Sequence, residues 1–134
     1  MKYKITEWIS KNKIETISTS EYWNDKGVEN KKMWSVPNNN FSAFEEYFDK
    51  KGLFKQLEFI VSQNRIDLNN SMVASLASGT CALESLILKK YKGIKKMFCV
   101  EFSKHRIKEI APRVLDHYKI DPNQIKLCLG SFYN

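Results

Sequence analysis

The run Ser75-Leu76-Ala77-Ser78-Gly79-Thr80-Cys81 sets small side chains between an apolar stretch and a helical pattern. Small residues let a backbone run close to a ligand, and Gly79 leaves no side chain between its amide and whatever lies beside it. The helix that follows opens with N–H groups that have no partner inside it and can meet a polar or negative group. Glu101 comes 22 residues after Gly79, at the end of a second apolar run. A carboxylate there can accept two hydrogen bonds from a ribose diol. Gly130-Ser131-Phe132-Tyr133 follows a third apolar run, and offers a polar side chain and an aromatic edge to a flat base. Each segment also has a plain structural reading, as a tight turn, a helix cap or a loop. Their recurrence at the ends of three successive apolar runs is what points to a nucleoside ligand.

The elements that must position these segments alternate. Met72 to Ala77 reads as a strand, and Leu83, Leu86, Ile87 and Lys90 carry a helix after it. Tyr91 to Lys95 makes the return, with Gly93 as helix terminator. Lys96 to Phe102 contains Met-Phe-Cys-Val, a continuous apolar run of the kind found in strands buried on both faces. Ser103 is placed to cap a helix from about Lys104 to Tyr118, with Ile107, Ile110, Ala111, Val114 and Leu115 on one face. Pro112 inside it is expected to kink it. Asp121-Pro122-Asn123 is a turn and Ile125 to Leu129 a third strand. Strand and helix in alternation, with short connections, predict an α/β fold: a Rossmann-like, doubly wound parallel sheet of three strands. Ligands of such sheets bind beyond the carboxyl ends of the strands, where the three segments fall.

Residues 1–70 read differently, as a helical N-terminal cap on the substrate side, ahead of the cofactor-binding half at 71–134. Ile5, Trp8 and Ile9 fall at helical spacing. Ser20 to Asn40 carries Tyr22, Trp23 and Trp34 in an irregular connection, candidates for core or for the lining of a substrate pocket. Phe41, Phe44, Tyr47 and Phe48 repeat at three and four, one face of a helix that Lys50-Lys51-Gly52 should end. Leu53, Leu57, Ile60 and Val61 begin another amphipathic pattern running to about Asn64.

The segment Ser71 to Asn134 resembles the class I S-adenosylmethionine-dependent methyltransferases. Their first motif reads acid-x-Gly-x-Gly-x-Gly, and here Ser75, Ala77, Gly79 and Cys81 stand at those positions, so the acid and two glycines are replaced. Thr80 and Glu84 fit the pattern. The resemblance implies that Ser75 and the loop Ala77, Ser78, Gly79, Thr80 and Cys81 hold the methionine moiety of S-adenosylmethionine. It also implies that Glu101, with Phe102 beside it, holds the ribose, and that Gly130, Ser131 and Phe132 meet the adenine. Ser131 stands where many members carry an acid. The expected activity is methyl transfer to an acceptor the sequence does not identify, with no catalytic base in view. Ala77, Gly79 and Ala82 also fit the dinucleotide fingerprint G-x-G-x-x-G/A, so a nicotinamide-dependent oxidoreductase is the rival enzyme. A non-catalytic binding module with a degraded cofactor loop is the third reading. A methyltransferase sheet has about seven strands, so three imply the N-terminal portion of a longer enzyme or a truncated product. The open edge of such a sheet predicts self-association or marginal stability.

The composition narrows the setting. Of the 134 residues, 43% are hydrophobic and 28% charged, which suits a packed domain and argues against disorder. No apolar run approaches the roughly 20 residues of a membrane helix, and the N-terminus lacks a signal-peptide pattern, so a cytoplasmic protein without membrane partners is expected. The net charge of +7 would suit an anionic partner such as nucleic acid, but it arises from scattered lysines with no compact basic face, which favours a plain solvated surface. Cys81, Cys99 and Cys128 have no metal-ligand spacing and read as reduced thiols, the last two as core hydrophobes. Cys81, at a helix N-terminus, has no partner base that would make it a nucleophile. His105 and His117 lie too far apart on one helix to share a metal and read as surface residues. Lys104-His105-Arg106 reads as a solvated helix start that could also meet an anion.

Overall fold

The computed structural model describes residues 2–7, 36 and 39–130. Four strands form one wholly parallel sheet: β1 (Ile5–Glu7), β2 (Met72–Leu76), β3 (Lys96–Glu101) and β4 (Ile125–Leu129), in the spatial order β1-β4-β3-β2. Helices α1 (Phe41–Lys51) and α2 (Leu53–Gln63) precede β2. Helix α3 (Ala82–Lys90) joins β2 to β3, and a π-helical turn (Arg106–Ile110) leads into α4 (Ala111–His117) before β4. Helices α3 and α4 pack on each other, as two crossovers of one hand in a Rossmann-like α/β sheet must. The core runs through the middle of this arrangement, with Met97, Cys99, Ile107, Leu115 and Leu127 almost entirely buried. The two strand cysteines, Cys99 and Cys128, are buried free thiols.

The N-terminal segment departs from its helical spacing. Ile5 lies in a fourth strand, not a helix, and pairs in register with Leu127. Three side chains fix it there. The buried Tyr3 donates its hydroxyl to the Ile120 carbonyl at 2.9 Å, Lys2 pairs with Asp116 at 2.7 Å, and Glu7 pairs with Lys108. These contacts span more than a hundred residues, so no local periodicity could report them. Trp8 and Ile9 lie outside the described residues, as do Tyr22, Trp23 and Trp34.

The helix of aromatic spacing forms as expected. Asn40 caps it by accepting from the Ala43 N–H at 3.1 Å, Phe44 and Phe48 are buried, and Gly52 closes it at φ 64°, the left-handed conformation glycine adopts at least cost. In α2, Leu53 packs against the core, while Ile60, expected on the same face, is 52% exposed.

Pro112 stands where the helical run changes geometry. It falls in the first turn of α4, just after the π-helical turn, where the Ala111 N–H bonds to the Arg106 carbonyl five residues back. Widening the turn there relieves the clash between a proline ring and the carbonyl one turn back. Ser103 caps the element as expected, its Oγ accepting from the Arg106 N–H at 3.3 Å.

Gly93 does not terminate α3, which ends with Tyr91 as its C-cap. It permits a close approach instead: a Cβ built on it would lie 2.0 Å from Asn69 Oδ1 and 3.2 Å from Asn69 Cα, where the Asn70 N–H donates to the Gly93 carbonyl at 2.7 Å. Gly93→Ala should therefore lower the unfolding free energy by about 1–3 kcal/mol, the usual cost of forcing atoms into a filled site. Urea denaturation would read this as a lower midpoint at unchanged slope.

Candidate functional site

At the carboxyl end of the sheet the backbone turns three times in alternation. Ala77, Gly79 and Cys81 have φ of 58°, 60° and 60°. Only Gly79 adopts this conformation freely; for an L-residue with a Cβ the left-handed region costs roughly 1–2 kcal/mol. The loop is stitched to the neighbouring strand end. Ser78 donates its N–H to the Val100 carbonyl at 3.0 Å, and Cys81 donates to the Ser78 carbonyl at 3.0 Å. The Cys81 carbonyl then starts α3, accepting from the Ser85 N–H at 3.0 Å and the Ser85 hydroxyl at 2.7 Å. Cys81 supplies no side-chain cap, so the helix opens toward the loop with its amides uncapped by that residue.

Glu101 binds the three segments together. Its Oε2 accepts from the Gly79 N–H at 2.7 Å, its Oε1 accepts from the Ser103 N–H at 2.8 Å, and its carbonyl accepts from the Gly130 N–H at 3.0 Å. The side chain is 3% exposed. Both carboxylate oxygens are thus engaged by backbone amides, one from the loop after β2 and one from the start of the next helical element. Gly79, Glu101 and Gly130 thus meet at one lip of the sheet. Phe102 follows half-buried, and Ser131 and Phe132 lie outside the described residues.

Two features of this end escape a reading of spacing. The first is a polar pair: Ser75 Oγ donates to the buried Glu84 Oε1 at 2.5 Å, joining the end of β2 to the first turn of α3. Burial, the dominant cause, raises the Glu84 carboxyl to about 7, with the nearby negative charge of Glu101 adding to it and the Ser75 bond opposing. Its second oxygen, Oε2, has no hydrogen-bond partner. The sequence signal was an acid in the first turn of a helix whose other face is apolar. Spacing alone assigns such an acid to the helix dipole rather than to the core.

The second is Arg106. The run Lys104-His105-Arg106 is not a solvated start throughout: Lys104 is exposed, but Arg106 is only 7% exposed, and its Nη1 would lie 3.5 Å from a Cβ built on Gly79. The π-helical turn that begins with Arg106 turns it inward, a displacement ideal helical periodicity cannot foresee. His105 is likewise not a surface residue but half-buried, its Nδ1 3.1 Å from Glu109 Oε2. His117 is exposed and stacks on Phe41 with ring centroids 3.5 Å apart. Cys81 is fully buried, which bars it from attacking a substrate as it stands.

A cleft of about 440 Å³, lined by residues that include Asp67, Asn69, Tyr91 and Gly93, lies at the amino ends of β2 and β3, away from Gly79 and Glu101. Among the described residues, no helix is long and apolar enough to cross a membrane. The chain matches no protein-family model and no curated protein sequence.

Proposed function

We propose that the chain binds S-adenosylmethionine at the carboxyl ends of β2, β3 and β4, and serves a methyltransferase as its cofactor-binding portion. The observation that carries this is the triple left-handed turn at Ala77, Gly79 and Cys81. Those are the positions at which the resembling family places its three glycines. Two residues here hold the conformation against a steric cost, and strain of this kind persists where the surrounding structure imposes it and clusters at ligand sites. In this reading the Ala77–Cys81 loop and the N-terminus of α3 receive the methionine end. The Glu101 carboxylate at the end of β3 receives the ribose hydroxyls, and the turn beginning at Gly130 meets the adenine. When bound, the cofactor supplies an electrophilic methyl on a sulfonium centre. The protein's part is to hold that centre in line with an acceptor, and such positioning accounts for much of the acceleration in reactions of this kind.

Isothermal titration with S-adenosylhomocysteine tests this directly. Wild type should bind saturably. Glu101→Ala, having lost a charged acceptor that contributes about 1.5–3 kcal/mol, should bind roughly 10- to 150-fold more weakly. Saturable binding of NAD with no response to S-adenosylhomocysteine would defeat the proposal in favour of the dinucleotide reading, for which Ala77 makes the first tight turn without a glycine. No heat from either ligand would favour a binding module that has lost its cofactor.

A further inference from the structure

The five large hydrophobic side chains that stand exposed among the described residues all fall between residues 59 and 76: Phe59 and Ile60 on α2, Ile66 after it, and Met72 and Leu76 on β2. Among the described residues, strand β2 is one edge of the sheet and pairs with β3 alone. The Lys96 N–H donates to the Ser71 carbonyl, so alternation along β2 turns the backbone N–H and C=O of Met72, Ala74 and Leu76 toward the open side. Those same three residues carry their side chains on the exposed face, in the alternation exposed, half-buried, exposed, half-buried, exposed. Natural sheets guard such an edge with lysine, proline or a bulge. Met-Val-Ala-Ser-Leu has none of these.

The charge pattern says what this edge can accept. The chain carries 22 basic residues against 15 acidic, yet no Lys or Arg occurs between Arg65 and Lys89, the longest such gap in the sequence. Two copies of a chain at +7 repel each other over most of their surfaces, and least along this strip. The strand is also self-complementary. Antiparallel pairing about a two-fold axis at Ala74 sets Ala74 opposite its own copy, and Met72 opposite Leu76 twice over. All three become hydrogen-bonded pairs, about six backbone bonds in all, with apolar contact on one face throughout.

We infer that a second copy of this chain docks on β2, strand to antiparallel strand about Ala74, making one eight-stranded sheet of two four-stranded halves. An isologous contact of this kind closes on itself and stops at the dimer. It is independent of the cofactor reading, because it uses the edge of β2 and not the loop beyond it.

Sedimentation velocity of the full 134-residue chain over a concentration series is the primary test, with a reversible dimer expected. Met72→Lys and Leu76→Lys replace exposed side chains, so each should keep the wild-type circular dichroism while weakening the dimer about tenfold or more. Ala74→Cys should form a covalent dimer with glutathione disulfide, since the paired Cα atoms would lie about 5.5 Å apart. Val73→Cys, on the opposite face of the strand, should not. A monomer at every concentration overturns the inference. So does a dimer that ignores both lysine variants, or one that cross-links through position 73 and not 74, since each places the contact elsewhere.

Discussion

Glu84→Gln should make the protein more stable at pH 8 than the wild type by about 3 kcal/mol, and should flatten its stability between pH 4.5 and 8. The Glu84 carboxyl is buried, and burial lifts it from the ordinary 4.5 to about 7 in the folded chain. A group that holds its proton more tightly when folded stabilises the fold fully below its unfolded value. That contribution shrinks as the pH rises above 4.5 and is gone once the pH has passed through about 7, because the folded state must then either retain a proton the unfolded chain has released or bury a charge. The interval between the two values sets the size of the effect at about 1.4 kcal/mol per pH unit. Glutamine keeps an oxygen to accept from Ser75 Oγ and carries no charge at any pH. Urea midpoints for both proteins at pH 4.5, 6, 7 and 8 provide the measurement, since other carboxylates titrate alike in the two and cancel in the difference. Parallel curves for the two proteins would mean that Glu84 is ionised and solvated in the fold. The predicted excess at high pH also implies that the wild type tolerates a destabilising acid beside the candidate cofactor loop, as expected of a residue kept for a purpose other than stability.

Much of the sheet was legible because its strands are short, apolar and separated by signals that act locally. Met97-Phe98-Cys99-Val100 can be little else than a buried strand, and Ser103 with the apolar face from Ile107 to Leu115 dictates a capped helix after it. The encounter of Gly79 with Glu101 followed from topology, since adjacent parallel strands bring their carboxyl ends together. What escaped depends on distance or on departures from ideal geometry. Strand β1 is too short to show an alternation and is held by Tyr3, Lys2 and Glu7 acting on residues a hundred positions away. Arg106 faces inward because a π-helical turn shifts the register ahead of Pro112. Gly93 looked like a helix terminator because glycine most often plays that part, whereas here the chain at Asn69 passes too close for a side chain. The Ser75–Glu84 bond joins two residues whose separate roles each had a simpler explanation.

Phe44→Ala should lower the unfolding free energy by about 3–5 kcal/mol, the range for emptying a buried aromatic site, and should do so for the whole molecule at once. Phe44 is fully buried, its ring 4.4 Å from that of Phe48, in a cluster that continues through Leu115 and Leu127 to the sheet. Helix α1 is further tied to the end of α4 by the Tyr118 hydroxyl, which donates to Glu45 at 2.8 Å, and by the stacking of Phe41 on His117. If α1 belongs to the same cooperative unit as the sheet, the variant melts in one transition, roughly 10–20 °C below the wild type, with far-ultraviolet and aromatic signals coinciding. Were α1 a separately folding cap, the same substitution would release it alone, and the sheet would melt at its original temperature in a second step. The total stability of a domain this size is about 5–15 kcal/mol, so a loss of 3–5 takes a large share of it. The experiment therefore distinguishes a helix that completes the core from one that merely rests on it, and the continuity of buried side chains from Phe44 to Leu127 places α1 in the first group.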